Sequence, residues 1–202
     1  MSAVTPAPSA PESRPPFQTL LRRWPTALAL LLSVPGMVTG GSGGDSAADS
    51  VEMYGEALPL LPLLYLIVQQ LGKPRLTWPV VGAGLASIVA LRALDLVSPS
   101  VPLTVIALFV LVLGAVRGTP HGPVTFRIQA AGAFVFCALA LAGLAVDPDL
   151  GRYLVAAGWF FHGVWDFAHL MLKRLDGIVS RTFAEWCGVI DVCIGVELAF
   201  LL

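Results

Sequence analysis

Three residues in one stretch of the chain, His162, Asp166 and His169, are of types that bind metals or move protons. At about 100° per residue of helix, Asp166 lies about 40° to one side of His162 and His169 about 20° to the other. All three therefore share one narrow face. A second stretch holds Cys187 and Asp191, four apart and so also on one face, with Glu185 just ahead of them. Histidine nitrogen and carboxylate oxygen are zinc ligands, and three protein ligands with one water make a catalytic zinc site. His162, Asp166 and Asp191 are the candidate ligands of a divalent metal such as zinc, with His169 and Glu185 as candidate catalytic acid–base groups. A water on such a metal ionises near neutral pH and could attack a lipid ester or amide.

Other chemistries fit the same residues. His and Asp along a membrane helix form proton relays in pumps and transporters, so a proton-coupled transporter or channel is the second reading. The third is a structural or accessory role, in which a His–Asp pair only fixes helix register, worth about 1–2 kcal/mol at most. The spacing His-x3-Asp-x2-His is less specific for zinc than His-Glu-x2-His. Haem is disfavoured, because two His on one face of one helix cannot ligate an iron from opposite sides, and His121 falls in a loop. Cys187 reads equally as a small buried hydrophobe.

The elements that must carry these residues follow from composition. Of 202 residues, 56% are hydrophobic and 12% are charged, and the mean hydropathy is +0.81. A soluble domain carries about 25% charged residues, so most of this chain's surface must face lipid. Backbone polar groups in lipid must be paired internally, which selects helices. Apolar runs near 24–40, 56–71, 77–97, 101–116, 128–146, 152–172 and 183–202 predict an all-α integral membrane bundle of seven transmembrane helices. Residues 1–16, rich in Pro, Ser and Ala, read as a disordered cytoplasmic tail, and residues 17–202 as a single membrane domain. The acidic, Gly/Ser-rich segment 41–55 reads as the longest loop. The first run, behind Arg22 and Arg23, also resembles a secretory signal peptide. If it is cleaved, six helices remain.

Ten cations (Arg14, Arg22, Arg23, Lys73, Arg75, Arg117, Arg127, Lys173, Arg174 and Arg181) fall on one side of such a bundle, and Arg152 alone falls on the other. By the positive-inside rule the N-terminus is cytoplasmic and the C-terminus outside. The absence of Asn and the presence of two Lys suit a GC-rich bacterial genome, hence a bacterial cytoplasmic membrane. A net charge of -1 gives no reason to expect nucleic acid as a partner; the lipid bilayer is the expected one. Three cysteines in apolar runs argue against a disulfide framework. No Gly-rich nucleotide loop or CxxC motif is present.

The hairpin of the sixth and seventh runs is the obvious pairing, since a short loop makes them antiparallel. Counting at about 1.5 Å per residue from the shared end puts His162 level with Asp191, Asp166 near Cys187, and His169 near Glu185. The same counting puts Arg92 level with Glu197, as a candidate ion pair, with Asp95 as its other partner. Gln69 and Gln70 read as interfacial, and Trp24, Trp78 and Trp186 as interfacial anchors.

The run His162-Gly-Val-Trp165-Asp166-Phe-Ala-His169, the basic loop behind it, and Glu185-Trp-Cys187 with Asp191 resemble a type of small bacterial multi-pass membrane protein with no named activity. The resemblance covers about 40 residues and implies a polar helix followed by a helix with Cys and Asp. The His/Asp/His set is also loosely similar to that of membrane hydrolases that hold zinc with several His and an Asp.

Overall fold

The computed structural model describes residues 23–39 and 47–201. The expected tail, residues 1–16, lies outside the described residues. Within them the chain is helical and has no strand. The helices are α1 (Trp24–Thr39), α2 (Ala47–Ala57), α3 (Leu60–Leu71), α4 (Thr77–Leu94), α5 (Ser100–Arg117), α6 (Gly122–Ala145), α7 (Pro148–Met171) and α8 (Arg181–Phe200). A 3-10 turn, Pro74–Leu76, joins α3 to α4.

Four helical segments are long and apolar enough to cross a membrane: 48–71, 74–94, 100–117 and 122–145. The first is α2 and α3 run together. Pro59 and Pro62 each lack the N–H that a continuous helix would donate, and the rod jogs at Leu58–Pro59. The two long helices α7 and α8 carry the polar residues of the candidate site, which lower their apolarity. α1 is a shorter apolar helix.

The acidic segment 41–55 was expected as a loop, yet helix begins at Ala47. Asp49 in its first turn complements the positive end of the helix dipole. Val51 reaches the Gly151 position of α7, and Gly55 lies against Leu144 and Val155. An apolar stripe at helical spacing was hidden in an acid-rich composition.

The tightest joint is the α7–α8 hairpin. A Cβ at Gly163 would sit 2.8 Å from the Gly188 carbonyl oxygen, and one at Gly195 would sit 2.7 Å from the Phe160 nitrogen. Small residues let backbones meet, and van der Waals packing then holds the helices together. α3 runs through the middle of the bundle, with Leu63, Leu64, Tyr65, Leu66, Val68 and Gln69 all buried. Large apolar side chains face outward elsewhere, including Val89, Phe109 and Val116, each more than 60% exposed.

The turns divide the bundle into two ends. One end bears Lys73, Arg75, Arg117, Arg127, Lys173 and Arg174, and is called the basic end; the other bears Asp49, Glu52, Asp147 and Asp149, and is called the acidic end. At the basic end the 172–180 loop folds back, burying Leu175, Ile178 and Val179. The Ser180 N–H donates to Thr77 Oγ1 (3.0 Å), and Trp78 Nε1 donates to Thr182 Oγ1 (3.2 Å).

Candidate metal centre

α7 presents His162, Asp166 and His169 on its buried face, one turn or less apart. α8 presents Cys187 and Asp191, also one turn apart and buried. Glycines at 163 and 188 bring the two backbones close enough for these short side chains to meet. His162 Nδ1 lies 2.8 Å from Asp191 Oδ2 and 3.6 Å from Asp166 Oδ2. Cys187 Sγ lies 3.6 Å and 3.7 Å from the two oxygens of Asp191. One potential ligand atom from each of His162, Asp166, Cys187 and Asp191 falls within 4.8 Å of all the others. The four residues are sealed, none more than 2% exposed.

Two observations test whether a cation suits this group. Asp166 Oδ2 and His162 Nε2 are buried without a hydrogen-bond partner. Unpaired polar atoms inside an apolar bundle are costly, and a cation between the carboxylates would engage Asp166 Oδ2. The donor set also fits: one nitrogen, two carboxylates and one sulfur suit a borderline-soft ion such as zinc.

A further shell orients these groups. Tyr65 of α3 donates its hydroxyl to Asp166 Oδ1 at 2.5 Å, leaving Oδ2 to face His162. Phe136 of α6 packs edge-on to the His162 ring, with centroids 4.9 Å apart. His169 is held at both nitrogens. Its Nδ1 is 2.8 Å from the Trp165 carbonyl oxygen, which can only accept, so Nδ1 carries the proton. Its Nε2 then accepts from the side-chain amide of Gln129 at 2.6 Å. Trp165 flanks His169 and fits because residue 132 is glycine, where a Cβ would sit 2.9 Å from the indole.

The structure thus brings together His162, Asp166 and Asp191, the three expected ligands, and adds Cys187. It does not bring in the two expected acid–base groups. His169 stands one turn away with both nitrogens engaged. Glu185 faces α1, where it accepts from Thr26 Oγ1 and pairs with Arg23 (3.2 Å). The reason is angular: Glu185 precedes Cys187 by two residues, about 200° around the helix.

Two further sequence expectations are corrected. Arg92 pairs with neither Glu197 nor Asp95. Its guanidinium meets Glu56 at 3.0 Å and the Met53 carbonyl at 3.0 Å, both on α2, which had been read partly as loop. Gln69 is not interfacial but wholly buried. Trp24, Trp78 and Trp186, read from the sequence as interfacial anchors, lie together at the basic end, with ring centroids 6.1 and 5.4 Å apart along the series.

Sequence reasoning missed Tyr65 and Gln129. A signal existed for the first: Tyr65 lies four residues before Gln69 in an otherwise apolar run, so the two form a polar stripe. No protein-family model, curated protein or solved structure matches the chain.

Proposed function

We propose that this chain is a seven-helix, multi-pass protein of a bacterial cytoplasmic membrane, N-terminus inside, that holds a divalent metal between its last two helices. His162, Asp166, Cys187 and Asp191 hold the ion, and zinc is the best chemical match. The observation that carries this reading is the convergence of four ligand atoms within 4.8 Å at a fully buried place. The ten-to-one division of cations supports the orientation. The ion pair of Arg23 with Glu185 supports retention of α1 as a working part of the bundle.

Four protein ligands without an open position are the mark of structural zinc sites, whereas catalytic sites keep one position for water or substrate. The sealed geometry therefore favours a metal that is held, and pins the hairpin, over one that hydrolyses lipid. A lipid-hydrolysing role would require Cys187 to yield its place to water. Elemental analysis of detergent-purified protein tests the reading. About one metal per chain is expected, lost in His162→Ala/Asp166→Ala. A metal-free wild type of full stability would sink it.

One observation favours a second reading, a proton-coupled carrier. Gln129, His169, Tyr65, Asp166, His162 and Asp191 follow one another in hydrogen-bond, ring or ion-pair contact through the bundle. Proton flux in liposomes that Asp166→Asn and Asp191→Asn abolish would support it. Flux indifferent to both changes would end it.

A further inference from the structure

Gln69 is wholly buried, and neither its amide nitrogen nor its amide oxygen has a hydrogen-bond partner. Buried polar groups in folded proteins are almost always paired, with water where protein is lacking. Gln69 follows Tyr65 by four residues, so it lies on the same face of α3, about 6 Å nearer the basic end. The ring of Tyr65 lies 4.5 Å from that of His169, and His169 holds the buried Gln129. Thr125, one turn nearer the basic end than Gln129, is buried too. A stack of polar side chains thus descends from the centre towards the basic end.

The opposite direction is different. One turn from His162 towards the acidic end is Gly158, filled by Leu58. Beyond it lie Ala140, Val155 and Leu198. All four of these apolar side chains are fully buried. A cation crossing that layer would lose its hydration with nothing in return. Glu56, paired with Arg92, and Glu197 are buried at that end, but each lies farther from His162 along the helix axes than Leu58 does.

We infer that the metal reaches the centre from the basic end, through a hydrated polar step lined by Gln69, Gln129 and His169, once the 172–180 loop that buries Leu175, Ile178 and Val179 at that end has moved aside. This rests on the metal reading above. Amide oxygens and ordered water replace part of a cation's hydration shell, so Gln69 governs the rate of loading without holding the ion at rest.

The test is the rate at which metal-stripped, full-length protein takes up zinc, followed by competition with a chromogenic chelator. Gln69→Leu and the closer match in shape, Gln69→Met, should each slow uptake tenfold or more. Both should leave the final zinc content at the wild-type level. If both variants load at the wild-type rate while His162→Ala holds no zinc, the route is overturned and the metal reading stands. If the wild type holds no zinc, both fall. Thermal unfolding separates a merely structural Gln69. Removing an idle buried amide would raise the unfolding midpoint and leave uptake unchanged, which also overturns the route. In proteoliposomes of known orientation, zinc on the basic side should load the centre. Loading from the acidic side at an equal rate would overturn the inference.

Discussion

Tyr65 decides which oxygen of Asp166 is free. Its hydroxyl occupies Oδ1, and Oδ2 is left facing His162. Partners that orient a ligand are typically worth 10–100-fold in metal affinity. Tyr65→Phe is therefore expected to weaken zinc binding by about that factor, measured by chelator competition. The fold should survive, since only a hydroxyl is removed. An unchanged affinity would mean that the helices alone orient Asp166. His169 differs in kind. Both its nitrogens are spent on Trp165 and Gln129, so it braces the site and has no lone pair to offer a metal. Its polarity was legible from the sequence; its partners were not, because Gln129 is 40 residues away and on another helix.

At the scale of the element, the α7–α8 hairpin was the most legible part of the molecule. A short connection fixes an antiparallel pair, helical period fixes the face, and rise per residue fixes depth. Those three rules alone bring His162 to Asp191. They fail where contact depends on a helix from elsewhere in the chain. Arg92 finds Glu56 because acid-rich residues 47–57 form a helix beside it, and Tyr65 enters because α3 is central. The hairpin's own geometry hangs on glycine. Gly163→Val would drive a methyl into the Gly188 carbonyl and the Val192 side chain, both about 2.8 Å from the first added carbon. Overpacking of this kind costs about 1–3 kcal/mol. The unfolding midpoint should drop, and zinc content should fall with it as His162 and Asp191 separate. Gly82 of α4 has nothing within 4 Å of its added carbon. Gly82→Ala should leave both quantities intact, and a loss there would show that the effect is not one of packing.

For the whole molecule, an apolar helical chain followed directly from composition, and four of its helical segments are long and apolar enough to cross a membrane. The helix boundaries were harder to read, because α1 is short and α2 looks like a loop. Charge geometry at the two ends also separates site from scaffold. Glu185, expected in the chemistry, instead ties α8 to Arg23 and Thr26 of α1. The Arg23 side chain is 70% exposed, and ion pairs at such positions contribute about 0–1 kcal/mol. Glu185→Gln should therefore keep its full complement of zinc and lose little stability, as elemental analysis and thermal unfolding would show. A metal-free Glu185→Gln protein would return that residue to the centre.

The bond between Arg23 and Glu185 closes a loop of 162 residues. Chains are made at about 5–20 residues per second, so α1 exists roughly 8–30 s before its partner does. During that interval Arg23 and Thr26 are without the Glu185 carboxylate that they meet in the finished fold. The contact between α1 and α8 thus waits on the synthesis of α8, and the bundle cannot close on α1 before that helix exists.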